Sequence, residues 1–292
     1  MYNKLDVPII IPSYYRENST LYKCLNSILK VYDVRSIYVI LQKWPKDETE
    51  NLKNTYPKTV NFIEKEEGFS NGIIGAFQFC HDYMSSRYPH YIFIEDDITM
   101  TKFKGNEYFP LYAIQETLKL NPEVGVVGVR FIGLQFKPNE KFIDSVKFSG
   151  NPAHCVGYSS AATKDIVLDP KFSNFRTDTD ITLQIIQRGF GLVYFASKFT
   201  YYHNIPISKI KDNKFVLIEK NKSSTNNRTK NTQKETDTLL AEKYRMKINK
   251  KGRALTEYWI RDNNIFHPKN KTGKNIKLNT GNLEKLYYKD NE

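Results

Sequence analysis

"YIFIEDDITM", residues 91–100, sets four strand-forming residues directly against three consecutive carboxylates. A short apolar run bounded by polar residues, rich in β-branched and aromatic side chains, fits a strand buried on both faces. Glu95, Asp96 and Asp97 then stand at the carboxyl end of that strand, where they repel one another. In an open α/β sheet this is the edge at which ligands bind. Three readings are open for so much negative charge: a hard divalent cation, a basic partner, or a solvated acidic turn.

Runs of the same kind recur upstream. "VPIII" (7–11) is closed by Pro12 and Ser13, and "SIYVIL" (36–41) and "VNFIE" (60–64) follow. Helical patterns separate them. One is capped by Ser19 or Asn18 and runs to about Tyr32, with Leu21, Leu25, Ile28 and Leu29 on one face. The others are "DETENLKNTY" (47–56) and residues 72–85, the latter after the glycine-bearing loop "GFSNG" (68–72). Strands alternating with helices at intervals of ~25–30 residues indicate an α/β fold, a parallel sheet covered by helices on both faces.

Past Asp97 the pattern continues with a helix around 107–120, "VGVVGVRF" (124–131) and "HCVGYSSAATKDIVL" (154–168). "TDTDITLQIIQRG" (177–189) reads as a short helix closed by Gly189, and "GLVYFA" (191–196) as a late strand leading to "YYHN" (201–204). "EKNKSSTNNRTKNTQKE" (219–235) lacks periodicity and reads as a loop or lid. A helix near 235–247, a weak strand or helix at 255–260 and a frayed basic end over 268–292 complete the expectation. Residues 1–204 are expected to form one α/β domain and 205–292 a basic extension or lid.

Composition narrows the class. The 292 residues suffice for one large domain with an extension. Cys24, Cys80 and Cys155 are widely spaced, which argues against a disulfide framework or a cysteine-built zinc site and for a reducing compartment. No apolar run approaches membrane-spanning length and the first residues do not resemble a signal peptide, so a soluble, cytoplasmic protein is expected. The net charge of +12 lies almost wholly in residues 204–292, with 21 Lys/Arg against 10 Asp/Glu. Such a segment suits a polyanion, a nucleic acid or an anionic membrane, unless it is a solvated tail.

Four constellations carry chemistry. The acid triplet suits Mg²⁺ or Mn²⁺, which bridges carboxylates to a diphosphate. In "TDTDITLQIIQRG", Thr177 to Asp180 has capping-box spacing, and two acids in a first turn favour the helix dipole. The functional reading of the same residues makes Asp178, with Asp180 beside it, a general base. His203 could complete a metal site begun by the triplet. In "IPSYYR", Tyr14 could stack on a nucleobase and Arg16 meet a diphosphate, and the "GFSNG" loop with Asn71 could approach a nucleotide.

In this order along the chain, the motifs resemble those of the GT-A fold nucleotide-sugar glycosyltransferases over roughly residues 7–204. The resemblance rests on Pro12-Ser13-Tyr14-x-Arg16, on Glu95-Asp96-Asp97 in the place of the family's acidic DxD motif, on Thr177-Asp178-Thr179-Asp180-Ile181 with Gly189, and on His203. It implies a GT-A (Rossmann-like) mixed, mainly parallel sheet and donor contacts from Pro12, Tyr14, Arg16, Gln42, Asn71, Glu95 and Asp96. It also implies Mn²⁺ or Mg²⁺ held by Glu95, Asp97 and His203, a UDP-sugar donor, and inverting transfer with Asp178 as base. Gln42 and Lys43 depart from the family's acid at the second strand end, Gly75-Ala76-Phe77 departs from its "ARN", and Thr177 replaces its Glu.

Short strings, "TLQ" in the acid helix and "SSTNNRT" after His203, are similar to phage glycosyltransferases that modify hydroxymethylated DNA bases. That resemblance implies a DNA acceptor, with His154, Arg228, Lys230 and Lys234 as acceptor or DNA contacts and the target base flipped out. The alternative is a bacterial surface-polysaccharide glycosyltransferase acting on a lipid-linked or saccharide acceptor. A third reading is a non-catalytic nucleic-acid-binding protein on the same fold.

Overall fold

A computed structural model of the chain describes residues 4–16, 19–100, 110–131, 141–172, 176–203, 208–211, 214–217, 230–274 and 276–288. The first half runs β1 (Lys4–Leu5), β2 (Ile9–Tyr14), α1 (Leu21–Val31), β3 (Asp33–Val34), β4 (Ile37–Gln42), α2 (Lys46–Thr55), β5 (Val60–Lys65), α3 (Gly72–Ser85) and β6 (His90–Ile94). Next come β7 (Ile98–Thr99), α4 (Pro110–Leu120), β8 (Val124–Phe131), α5 (Phe142–Ser145), β9 (Val146–Lys147), β10 (Cys155–Ser159), α6 (Ser160–Thr163) and α7 (Thr177–Gln187). The rest comprises β11 (Gly191–His203), β12 (Ser208–Lys211), β13 (Lys214–Leu217), α8 (Lys230–Lys243), α9 (Thr256–Asn263) and α10 (Leu283–Tyr288).

The main sheet has the order β5-β4-β2-β6-β10-β8-β11-β7, with β9 paired to β11. Strands β5, β4, β2 and β6 are parallel, as the alternation predicts. β10 enters antiparallel between β6 and β8, and β11 is again parallel to β8. The result is a mixed, mainly parallel sheet in which β10 begins at the edge where β2, β6 and β8 end.

Alternate residues of each central strand serve two different cores. Ile9, Ile11, Ile92 and Ile94 pack with α1 and α4 on one face. Ile10, Phe93, Val156 and Tyr158 pack with α3, α6 and α7 on the other. Because both faces are covered, the strands read as unbroken apolar runs. Gly157 in β10 has a specific reason: a Cβ there would lie 2.0 Å from Ile114 Cγ2, so α4 seats on the sheet only over glycine. Gly189, at φ +86°, ends α7 in the left-handed conformation where a glycine stop was expected.

In the C-terminal third the helix expected near 235–247 is present as α8, and described residues pack into both cores. Leu240, Ala241, Tyr244 and Ile260 are buried in one core, and Ile265, Phe266 and Leu283 in the other. Asn264, fully buried, donates to the carbonyls of Phe148 and Leu192 at 2.8 Å and accepts from Leu192 N–H. Asn121 and Asn279 exchange two bonds in the same manner. Residues 276–283 are therefore stitched to the sheet rather than frayed, and packing continues across the compositional boundary at 204. The region 255–260 is the start of a helix, α9. Among the described residues no helix is long and apolar enough to cross a membrane.

Candidate active site

The acid triplet lies at the carboxyl edge of the sheet, and its three members face different ways. Asp96 points into the α1–α4 face and is 4% exposed. It accepts from Ser13 Oγ at 2.7 Å and pairs with Arg16 at 3.3 Å, both from the end of β2. Burial pushes its pKa up to about 6, against Arg16 and Ser13, which pull it down. Asp96 thus shapes the β2–β6 edge by fixing Arg16.

A stability consequence follows. The unfolded carboxyl ionises near its ordinary value and the folded one near 6, so between these pH values the folded state keeps a proton that the unfolded state has lost. Stability contributed at this position is greatest at low pH and declines as pH rises through about 4 to 6. Measured by urea unfolding in EDTA, the wild type is expected to lose about 2–3 kcal/mol relative to Asp96→Asn between pH 4 and pH 7.

Glu95 faces the other side of the sheet. Its N–H donates to His154 O at 2.8 Å, and its Oε2 lies 3.0 Å from His154 Nδ1. His154 was expected among the acceptor contacts; it stands inside the acidic cluster, at the entry to β10. Its φ is +62°, and Cys155 N–H donates to Ala153 O at 2.7 Å, closing a γ-turn around it. Burial alone would lower its pKa, but Glu95, then Asp178 and Asp97, outweigh that and hold it up to about 9.

Asp97 is half-buried at the tip of β6. β7 follows at once and pairs antiparallel with the end of β11, setting His203 opposite Ile98. The chain thereby brings His203 into register beside Asp97, although the two are distant in sequence; the His203 side chain lies outside the described residues. Among the described residues no group of three or more His, Cys, Asp or Glu side chains surrounds a common point. A carboxylate and an imidazole at a sheet edge suit Mn²⁺ or Mg²⁺ that draws its other ligands from phosphate and water.

Helix α7 supplies the remaining acid. Its first turn is not the capping box that the spacing suggests. Arg176, left-handed at φ +73°, is the N-cap, and the Asp180 side chain turns away from the helix end. Asp180, 2% exposed, accepts from Tyr244 Oη at 2.6 Å, Lys243 Nζ at 2.7 Å and Gln184 Nε2 at 2.9 Å. These bonds tie Asp180 to Gln184 and to the end of α8. Thr179 donates to Asn151 Oδ1 at 2.8 Å. Asp178, between these two anchors, is half-buried and close enough to His154 and Tyr158 to raise the pKa of both.

The remaining donor candidates divide. Tyr14, 48% exposed, ends β2 with Lys43 Nζ 6.0 Å from its ring centre, a surface on which a planar base can stack. Asn71 is exposed at the start of α3, on the same edge of the sheet. Pro12 and Gln42 are buried in the strands. Of the basic candidates, Lys234 is exposed and crosses the turn at Gly252. Arg228 and the side chain of Lys230 lie outside the described residues. Sequence reading passed over Ser13 as a partner of Asp96 and over the Glu95–His154 pair, which no local signal announces.

No protein-family model matches the chain, and no curated protein matches it in sequence. Solved structures do. S. aureus TarS aligns over 81% of this chain at 14% identity and a TM-score of 0.50, and its 1–349 portion over 81% at 12% identity and 0.50. The alignment covers 40% of the TarS chain and 66% of the 1–349 chain. At a TM-score of 0.46 stands the mannosyltransferase PcManGT from Pyrobaculum calidifontis in complex with GDP-Man and Mn²⁺, 13% identical over 68% of this chain and 57% of that one. At such identity the TarS alignments speak for architecture, and with the sheet described above they give this chain the GT-A-like, Rossmann-type α/β fold.

Proposed function

We propose that the chain is a metal-dependent glycosyltransferase that moves a sugar from a nucleoside-diphosphate sugar, UDP-sugar first among them, to an acceptor hydroxyl with inversion. One observation carries the reading: a GT-A-like sheet sets Asp97 at the tip of β6 and Asp178 on α7 around the same edge, with His154 between their two halves. Tyr14 offers a stacking surface for the base and Arg16 a cation beside it. Asp97 and His203 are the residues that would hold Mn²⁺ or Mg²⁺, whose charge offsets that of the departing diphosphate. Asp178 takes the proton of the acceptor hydroxyl as its oxygen attacks the anomeric carbon and the bond to the diphosphate breaks.

For the acceptor, a saccharide or lipid-linked hydroxyl is favoured over a DNA base. Part of the positive charge counted toward DNA is engaged within the fold: Lys243 with Asp180, Arg253 with Asp237, and Arg261 and Lys271 with Asp262. The DNA reading rests on the excess of Lys and Arg over residues 204–292, a count that already subtracts Asp237 and Asp262.

The deciding experiment incubates the full chain with a panel of nucleotide sugars, in MnCl₂ and in EDTA. Acceptors are lipid-linked and free saccharides, hydroxymethylcytosine DNA, hydroxymethyluracil DNA and plain DNA, with products read by mass. Manganese-dependent transfer to a saccharide is expected. Transfer to hydroxymethylated DNA alone reverses the choice of acceptor, and no transfer with no nucleotide binding overturns the enzyme reading.

A further inference from the structure

We propose that the turn between α8 and α9, with the first turn of α9, is a docking surface for an anionic membrane. This rests on the glycosyltransferase reading above and names the place where a lipid-linked acceptor is presented. The segment is held in shape by its own bonds. Leu255 N–H donates to Lys247 O at 2.9 Å, and Ile248 pairs antiparallel with Ala254. Asn249 Oδ1 accepts from the N–H groups of Lys251 at 2.8 Å and Arg253 at 3.1 Å. Gly252 makes the reversal at φ +73°, in the left-handed region.

Its chemistry is that of an interfacial surface. Residues 244–274 hold nine Lys and Arg against two acids, Glu257 and Asp262. Arg253 is paired with Asp237, and Arg261 and Lys271 with Asp262. Arg245, Lys247, Lys250 and Lys251 are exposed and have no carboxylate partner among the described residues. Lys234, exposed on α8, lies along Gly252 and extends the cluster. Beside these cations the fold leaves two large apolar side chains in solvent, Ile248 at 42% and Tyr258 at 56% exposure. Apolar bodies flanked by long cationic side chains settle at the boundary between headgroups and acyl chains.

A nucleic acid would also draw the lysines. It has no use for Ile248, and the Arg261 guanidinium, 4.9 Å from the Tyr258 ring centre, occupies one of the faces on which a base would stack. An anionic bilayer uses both features, phosphates for the cations and hydrocarbon for the apolar pair. Position agrees with this. Asp237 holds Arg253 of the turn at 3.2 Å and Arg176, the N-cap of α7, at 2.8 Å. Lys243 and Tyr244, just before the turn, hold Asp180. A membrane met by this surface therefore lies beside the helix start that carries Asp178.

The test sediments the full chain with vesicles of phosphatidylcholine alone and of phosphatidylcholine with phosphatidylglycerol, and titrates it with plain duplex DNA. Each is done at low and at high NaCl, beside thermal melting and calorimetry with nucleoside diphosphates. The wild type is expected to bind only the vesicles with phosphatidylglycerol, and more weakly at high salt. Lys250→Ala with Lys251→Ala is expected to melt as the wild type and to lose about 25-fold in vesicle affinity, about 5-fold for each lysine. Ile248→Ser with Tyr258→Ser is expected to lose about 10-fold. The lysine pair decides even where the apolar pair melts lower. A wild type that binds both vesicles alike or neither, or a lysine variant that keeps full vesicle affinity, overturns the surface. So does a well-folded apolar variant that loses nothing. Binding to DNA without binding to phosphatidylglycerol vesicles assigns the face to nucleic acid instead. None of the vesicle measurements uses a sugar donor, so a chain that docks yet binds no nucleoside diphosphate keeps the surface and loses the enzyme reading.

Discussion

Asp178→Asn is expected to lower the rate of sugar transfer by about 10²–10⁴-fold while leaving fold and nucleotide affinity intact. The substitution keeps size and removes only the capacity to take a proton. The neighbours of Asp178 explain why the loss stays confined to chemistry. Thr179 and Asp180 already fix the first turn of α7, through Asn151 on one side and through Lys243 and Tyr244 on the other. Asp178 lies half-buried between them. Its electrostatic reach to His154 and Tyr158 directs it toward β10, the strand at the centre of the site. Single-turnover transfer at saturating donor, beside calorimetry with nucleoside diphosphate, separates the two effects. A variant with near-wild-type single-turnover rate removes Asp178 from the role of base.

How far such an assignment could be read from the chain alone differs from residue to residue. "YIFI" and the apolar runs before it were legible as strands because both faces of the sheet are covered, so burial leaves no polar alternation to confuse them. The direction of β10 was not legible, since periodicity reports which residues are buried and not which way a strand runs. Capping-box spacing at Thr177–Asp180 misled for a related reason. A local pattern competes with partners 63 and 64 residues away, and burial beside Lys243 and Tyr244 won. The positive φ of His154 left no trace because such positions are read from glycine, and this one is not glycine.

The acid triplet shows the same division. Its position at a strand end followed from the apolar run before it, and the metal reading followed from three carboxylates in a row. What the row concealed is that successive residues of a strand end face opposite ways. Asp96 serves Ser13 and Arg16 on one face and Glu95 serves His154 on the other, so the like charges are separated and two of the three are matched by cations. The electrostatic cost of the triplet is thereby much smaller than its sequence suggests.

Asp237→Ala is expected to destabilise the protein by about 3 kcal/mol, although it lies in a segment whose composition reads as a solvated basic tail. Asp237 is fully buried on α8 and holds two arginines, Arg176 at 2.8 Å and Arg253 at 3.2 Å. Deleting the carboxylate leaves two guanidiniums facing each other without their shared counter-ion. Because they retain 24% and 39% exposure, the loss falls at the low end of the range for a broken buried pair. Arg176 is also the left-handed N-cap of α7, two residues before Asp178, so freeing it lets the first turn of that helix shift. Turnover is therefore expected to fall further than diphosphate affinity, and Asp237→Asn, which keeps one acceptor oxygen, to show a milder form of both. Urea unfolding and steady-state kinetics on the two variants check this. An Asp237→Ala protein with wild-type stability and turnover would show that α8 rides on the rest of the fold without holding it.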